Sequence, residues 1–557
     1  MQEINLFCDL LNGILMGGII FLIPAIGYAE IHYRLGRLPS LLFKREPEIV
    51  FDLPRRTQSG NSVPLFLIVK DAHLFPVKLC EMQIQIRNLS HSAAVQQNLQ
   101  FNFSVSEKFF NRIIELESTH FPEPGNYQIL VKLFYRNRRN KPRVLIQDNY
   151  SQIPHPPFEL AVQEENLPRR EGWYWGDLHV HSQFTEDQVE FGAPIAHIAR
   201  ATHAMGLHFA AVTDHSYDLD DLPDNYLVSD PRRKKWSAFL EEVRRVQQEY
   251  NDLIIIPGEE VSVGNLNNRN VHCLILNDPN FHEGSGDSGE KFFGNHPTQS
   301  LKQLLHNKSA DSVALAAHPA EKPPLSQRIV LRRGLWSRDD CLNHGMNALQ
   351  ILNGRKQEVL RAGLELWKNL LLEGKHIGLA AGNDSHGNFN CFRQLRMPFL
   401  RMIYKQDHLF GEMRMAIRTD SFSLSGLMEG IRQHRSIISN GPFAALYIHS
   451  PDFPLKQIGD RVMAPSGSRI RIEAISTSEF GSWKKLVLYF GQKKQRQESC
   501  RELKIPSEKF RLEIDTPLEN SGVDYVRLEA FTEKESMPYF CMTNPIWFVK
   551  KDDRNES

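Results

Sequence analysis

Two histidines separated by a single residue open the chemistry of this 557-residue chain. In Trp175-Gly-Asp-Leu-His-Val-His181 an extended backbone sends the imidazoles of His179 and His181 out of the same face, because side chains alternate along a strand. Alone the pair says little, since 22 histidines in a chain of this length yield about one H-x-H by chance. The weight comes from the motifs downstream of it: Thr213-Asp-His215, Pro257-Gly-Glu-Glu260, Val271-His-Cys273, Ala317-His-Pro319 and Asn383-Asp-Ser-His386. His, Asp and Glu without Cys form the ligand set of Zn, Mn or non-haem Fe, and several carboxylates allow more than one ion. Taken singly, each residue has an ordinary explanation. His272, inside the apolar run Val271 to Leu276, reads as a satisfied core histidine, and Glu259 with Glu260 as a solvated pair after a strand. Their joint placement is what argues for a metal site.

That placement depends on the elements between the motifs. Phe209-Ala-Ala-Val212, Leu253-Ile-Ile-Ile256, Val313-Ala-Leu-Ala-Ala317, Leu349-Gln-Ile-Leu352 and Ile377-Gly-Leu-Ala-Ala381 read as buried strands. Helical patterns fill Pro194 to Met205, Lys234 to Tyr250, Gln299 to His306, Glu358 to Leu372 and Leu424 to His434. Such alternation predicts parallel strands with crossover helices, as an open sheet or a barrel, delivering strand ends to one face. Every one of these strands but Leu349 to Leu352 is followed by a His, Asp or Glu.

In this order D-L-H-V-H-S, T-D-H, P-G-x-E, H, A-H-P and D-x-H resemble the PHP (polymerase and histidinol phosphatase) superfamily over roughly residues 172–440. More narrowly, Gly176-Asp-Leu-His-Val-His-Ser182, Val189-Glu-Phe-Gly192, Ser439-Asn-Gly-Pro442 and Thr543-Asn-Pro545 look like its carbaryl-hydrolase-like (CehA/McbA) branch. The resemblance implies an α/β fold with a distorted seven-stranded (β/α) barrel and two or three divalent ions, Zn, Mn or Fe. The implied ligands are His179, His181, His215, Glu260, His272, His318, Asp384 and His386, with His179, His181, Glu260 and His318 in catalysis and Glu260 bridging two ions. The ninth ligand falls in Thr185-Glu-Asp-Gln188, where the family pattern is Ser-Asp-Gly; either Glu186 or Asp187 fills it, with Asp187 preferred. Asp177 and Asp214, beside ligands, are expected to orient imidazoles.

Ions a few ångströms apart bring the pKa of a bridging water toward neutrality and clamp the attacking and leaving oxygens of a displacement. The expected reaction is therefore hydrolysis of a small-molecule ester by a metal-bridging hydroxide, with a phosphoester as the first substrate. The alternatives are a carbamate or carboxylic ester hydrolase of the same fold and a non-catalytic module. No G-x-S-x-G or Walker string offers a competing chemistry. Arg355 and Arg269 stand by position as phosphate contacts or as ordinary surface arginines.

Around residues 172–440 the two-residue alternation of β structure predicts an N-terminal β domain over 48–165 and a C-terminal one over 441–550, both sandwich-like. Met82, Ile84 and Ile86, and later Ile129, Val131, Leu133 and Tyr135, carry the first pattern; Ile470, Ile472 and Ala474 carry the second. These domains shape a substrate entrance, hold homodimer contacts or set a distance from a membrane. Lys plus Arg equals Asp plus Glu at 66 each, so no global field draws nucleic acid, and no nucleic-acid partner is expected. The seven cysteines are scattered without a C-x-x-C pair and read as small apolar residues.

Leu10 to Ala29 runs 20 residues without a charge, and at 1.5 Å per helical residue that spans about 30 Å, one hydrocarbon core. A single transmembrane anchor over 10–29 is the expectation, with Arg34, Arg37, Lys44 and Arg45 placing the catalytic part on the cytoplasmic side. The competing reading is a signal peptide cleaved before Glu30, after the small residues Gly27 and Ala29, and export of the rest.

Overall fold

The computed structural model describes residues 46–549 apart from 91–93, 151–152, 186–191, 223–224, 285, 287–294, 397–400, 451–452, 464–466, 507 and 519–521. Its N-terminal part is a pair of sheets. Glu48–Asp52, Val63–Lys70 and Phe109–Leu116 form one; Arg56–Gln58, Phe158–Gln163, Gly125–Arg136, Val77–Asn88 and Ala94–Val105 form the other, with Pro142–Ile146 added to Gly125–Arg136. The alternating apolar positions Met82, Ile84, Ile86, Ile129, Val131, Leu133 and Tyr135 are all buried between them, as a half-buried strand requires. The basic stretch Arg136 to Arg143 forms the tip of a hairpin.

The central strands belong to one 16-stranded sheet that curls into a half-barrel. Trp173–His181, Phe209–His215 and Ile254–Gly264 run parallel. Asn270–Leu276 is antiparallel both to Ile254–Gly264 and to Val313–Ala316. Ala348–Asn353 and Gly378–Gly382 continue the sheet in parallel from there. Three residues beyond Gly382, the short strand Ser385–His386 begins and returns to pair with the end of Trp173–His181. The same edge of Trp173–His181, opposite Phe209–His215, is taken nearer its start by Arg414–Arg418, and the ladder passes through Ser436–Ser439 into the C-terminal strands Met537–Thr543, Tyr525–Lys534, Ser482–Gln492 and Gln497–Glu502.

This corrects the fold expected from the alternation of strands and helices. Among the described residues strand accounts for 46% and helix for 16%, so the described molecule is β-dominated rather than α/β, and the seven-stranded (β/α) PHP barrel is not what forms. A barrel of that kind needs parallel strands with a crossover helix after each. Here Ile254–Gly264 turns back into Asn270–Leu276 without a helix, and the ladder runs on from Trp173–His181 into the C-terminal strands. The helices expected between strands do form, at Ile195–Met205, Lys234–Gln247, Leu301–Asn307, Gln357–Leu372 and Leu424–Arg432. Each buries an apolar stripe; in Gln357–Leu372 it is Leu360, Trp367, Leu370 and Leu371.

Phe453–Gln457, Phe443–Ser450, Arg469–Ile475 and Arg511–Pro517 form a second C-terminal sheet. Its Phe443 packs edge-on against Trp173 at 5.3 Å between ring centroids, and both belong to a core that continues through Ile470 and Leu488. The N-terminal sheets are fastened by Arg393, which donates through Nε to Asp148 (2.8 Å) and through Nη1 to Asp52 (3.4 Å). Phe66 adds a ring stacked on His197 of Ile195–Met205, 4.6 Å between centroids.

The expectation of a membrane anchor is also corrected. Among the described residues no helix is long and apolar enough to cross a membrane, and residues 10–29 lie outside the described residues. The membrane as a partner and the cytoplasmic placement rested on that anchor and fall with it. The signal-peptide alternative concerns the same stretch, outside the described residues.

Candidate metal centre

The curled sheet gathers eight of the nine expected ligands into one buried cluster. His179 and His181 end the strand Trp173–His181 and are fully buried. His215 ends Phe209–His215 and lies directly opposite Glu260 in the parallel register. Two residues past Glu260, Ser262 faces His272 across the antiparallel pair. His386 lies opposite His181, their rings stacked at 4.0 Å. His318 and Asp384 sit just after their strands with φ of 32° and 51°, left-handed backbone that ordinary side chains rarely adopt. Asp187 and Glu186, the alternatives for the ninth ligand, lie outside the described residues.

Glu260 is the centre of the group. Its Oε1 is hydrogen bonded to Nδ1 of His272 and lies 3.3 Å from Nε2 of His318. Its Oε2 lies 3.0 Å from Nδ1 of His215, 3.4 Å from Nε2 of His181 and 3.5 Å from Nε2 of His179. Asp384 Oδ1 approaches the same two nitrogens, at 3.1 Å from His181 and 3.3 Å from His179. Three sets of donor atoms lie close enough to share an ion: His179, His181, Glu260 and Asp384; His215, Glu260 and His272; and His181, His215 and His386.

The electrostatics show what these groups lack. Burial opposes charge on His179, but the carboxylates of Asp384 and Glu260 outweigh it and raise its pKa to about 9. His181 is likewise raised to about 9 against its own burial, by its contacts with Asp384 and Glu260. His215 goes the other way: burial, and then the charge of His181, push it down to about 3. Glu260 is buried and Asp384 partly so, yet the surrounding imidazoles hold both well below the ordinary carboxylate range. The two anions thus demand positive charge from their neighbours, which protons or a cation must supply.

A layer of neutral and acidic groups fixes the imidazoles. Gln350 Oε1 lies 2.9 Å from Nδ1 of His179, and Thr185 Oγ1 lies 3.2 Å from Nδ1 of His181. Thr185 in turn donates to Asp214 at 2.8 Å, which also accepts from Ser182. Asp214 therefore acts on His181 through Thr185. Asp177 accepts from the amide of Asn383 (2.6 Å), from the backbone N–H of Gly411 (3.0 Å) and from that of His179 (3.2 Å). It holds backbone rather than an imidazole ring, and burial raises its pKa to about 6. From Gln350 polar contacts continue to Asn353 (3.3 Å), Glu321 (3.5 Å) and the exposed Lys356 (2.7 Å).

Gln350 and Thr185 are not evident from sequence. A neutral amide in the one strand without a following His, Asp or Glu carries no charge signal, and Thr185 is a single hydroxyl in a loop. Arg355, expected as a phosphate contact, is paired with Glu412 at 2.7 Å. Arg269 is exposed and donates to the carbonyl of Arg328 at 3.1 Å.

No family model matches the chain, and no curated protein matches it. Among solved structures it is similar to a Paenibacillus sp. cycloisomaltooligosaccharide glucanotransferase complexed with cycloisomaltoheptaose, at 10% identity and a TM-score of 0.17, over 90% of this chain and 70% of that one. A likeness at that score carries no argument about fold or activity, and it lends nothing to a phosphoesterase.

Proposed function

We propose that this chain is a metal-dependent hydrolase of ester bonds, with phosphoesters as its first substrate class. The observation that carries the reading is the shared carboxylate: Glu260 belongs to two of the three donor sets, one through each neighbouring group of histidines. A carboxylate so placed suits two ions held side by side. The order of the motifs along the chain, which resembles that of the PHP superfamily, supports the same chemistry; the superfamily's barrel is no part of the proposal.

The residues present fit divalent cations. Glu260 Oε2 and His215 Nδ1 are buried 3.0 Å apart, yet neither makes a hydrogen bond. The Nε2 atoms of His179 and His181 face each other at 3.1 Å with Asp384 Oδ1 beside both. Nitrogen and carboxylate lone pairs converging in a buried space match the donor set of Zn, Mn or Fe. His179, His181, Glu260 and Asp384 would hold one ion, His215, His272 and Glu260 a second, and His386 with His181 and His215 a third. Such ions, when bound, supply a water acidic enough to act near neutral pH and positive charge for the oxygens of the displacement. The chain's own part is to orient: Gln350 and Thr185 fix the Nδ1 side of His179 and His181 so that both Nε2 atoms turn to the carboxylates.

Metal analysis of the purified protein, followed by assay of an aryl phosphate, an aryl phosphodiester and an aryl carbamate with Mn and with Zn, tests the reading. Two or more ions per chain and turnover of a phosphoester are expected. Turnover of the carbamate alone would overturn the substrate class, and bound metal without any turnover would overturn the enzyme.

A further inference from the structure

Three neighbouring strands end beside the candidate metal centre. Val313–Ala316, Ala348–Asn353 and Gly378–Gly382 pair in parallel, so the segments that leave them emerge on one side of the sheet. The first segment carries His318 and Glu321, the second Lys356 and the third Asp384. Glu321 accepts from Nζ of Lys356 at 2.7 Å. Against its own burial, the charge of His318, the contact with Lys356 and the charge of His408 hold Glu321 below the usual carboxylate range. His408, from the segment between the strands Arg401–Lys405 and Arg414–Arg418, therefore shares a neighbour with a candidate ligand.

The His408 ring is held at one end and uncommitted at the other. Its Nδ1 donates to the carbonyl of Asn383 (3.0 Å), the residue before Asp384. Its Nε2 makes no hydrogen bond among the described residues and lies 3.9 Å from Oδ2 of Asp407. Oδ1 of Asp407 accepts from the backbone N–H of Arg355 (2.7 Å) and from that of His408 (3.0 Å), which sets this carboxylate against the ring. The ring also meets Phe392, 5.9 Å between centroids, on whose face Lys405 lies. With 14% of the side chain exposed, Nε2 is sheltered but within reach of a ligand. His408 is left-handed, with φ of 53°, as are His318 and Asp384, and backbone outliers of this kind gather at functional sites.

The other acids beside the ligands are already engaged. Asp177 and Asp214 are fully buried and hold amide and hydroxyl donors, and Glu321 is paired with Lys356. Residues that bind ions are deprotonated when loaded and have no proton to give, yet the oxygen departing from an alkyl ester needs one. An imidazole with one nitrogen anchored and the other open suits that task. We propose that His408 is the general acid of the reaction, donating the proton on Nε2 to the leaving oxygen of the substrate. The proposal rests on the hydrolase reading above. The oxygen of water bonds to phosphorus, the bond from phosphorus to the ester oxygen breaks, and the electron pair left on that oxygen takes the proton from Nε2. The proton that the water lost on ionising goes to solvent, and solvent returns one to the ring.

The experiment compares metal-loaded wild type and His408→Asn on butyl phosphate and on 4-nitrophenyl phosphate. Asparagine suits a left-handed backbone, and 4-nitrophenolate leaves without a proton whereas butanol requires one. The expected result is a fall in kcat/KM of about a hundredfold or more on butyl phosphate and of less than about tenfold on 4-nitrophenyl phosphate, at unchanged metal content. Equal slowing of both esters, or loss of metal, gives the ring a structural part and overturns the proposal. A second readout needs no turnover: the metal-loaded wild type is modified with diethyl pyrocarbonate, with and without inorganic phosphate, and mapped by peptide mass spectrometry. Phosphate is expected to shield His408 and to leave the exposed His344 unshielded. Modification of His408 at the same rate in both conditions overturns the proposal even where nothing is hydrolysed. Shielding of His408 without turnover of any ester would sink the hydrolase reading, and the proton donor with it.

Discussion

The amide oxygen of Gln350 lies 2.9 Å from Nδ1 of His179, which fixes that nitrogen as the donor and leaves Nε2, among the carboxylates of Glu260 and Asp384, free of a proton whenever a cation replaces it. A group that holds the far side of a ligand imidazole typically contributes ten- to hundredfold in metal affinity. Gln350→Leu is therefore expected to weaken metal binding by about that factor, with Gln350→Glu, which still accepts, restoring part of it. Competition titration against a metal indicator measures both; equal affinities in wild type and Gln350→Leu would show that the contact orients nothing.

Because Glu260 belongs to two donor sets while His386 belongs to one, their substitutions should differ in stoichiometry. Glu260→Gln is expected to lose more than one ion per chain, and His386→Ala no more than one. Elemental analysis after gel filtration reads the difference, with circular dichroism to verify folding. Loss of the same number of ions from both would mean that Glu260 is not shared.

His197 offers a pH dependence away from the metal ligands. Both its ring nitrogens are buried without a hydrogen bond, and burial pushes its pKa down to about 3. In the unfolded chain an imidazole takes up a proton below about 6.5, so between these values the unfolded state binds more protons and stability falls as the pH is lowered. The loss is up to about 1.4 kcal/mol per pH unit in that window. His197→Phe keeps a ring against Phe66 and removes the titration. On going from pH 7 to pH 5 the wild type should lose about 2 kcal/mol more than the variant in urea denaturation; parallel losses would contradict the assignment.

Arg393 joins the N-terminal sheets to the rest of the molecule through Asp52 and Asp148, all three side chains being buried. Burial raises Asp52 to about 6 even with Arg393 beside it, so removing the guanidinium leaves carboxylates without a counter-charge. Arg393→Leu is expected to cost about 3–5 kcal/mol and to split thermal unfolding into two transitions as the N-terminal sheets detach. A single transition at an unchanged midpoint would mean that the link contributes nothing.

The site was more legible in the sequence than the fold was. His179, His181, His215, Glu260, His272, His318, Asp384 and His386 announce themselves by residue type after or within apolar runs, and strand geometry alone brings such positions to one side. The direction of the strands carries no such mark. Asn270–Leu276 is antiparallel but buried along its whole length, so its sequence is the same continuous apolar run that a parallel strand shows. The alternation of runs and helices therefore read as a (β/α) barrel; the hairpin at 265–269 is marked only by its Asn-rich turn, Gly264-Asn-Leu-Asn-Asn-Arg-Asn270, and the passage of the ladder into Arg414–Arg418 left no compositional trace. Gln350 shows the same limit at the site: its role comes from a contact 171 positions away along the chain, and nothing local to it distinguishes a supporting amide from a buried neutral residue.

The ladder that runs from the strand of His179 through Ser436–Ser439 into Met537–Thr543 makes the C-terminal strands inseparable from the rest. A chain cut at residue 440 would strip the partner from an edge carrying Ile437 and Ile438, which face Thr543 and Met542 across the ladder. Unpaired backbone groups beside such side chains are a template for edge-to-edge aggregation. Domain shuffling at that point would be penalised by insolubility before any loss of chemistry, so the two halves are bound to be inherited together.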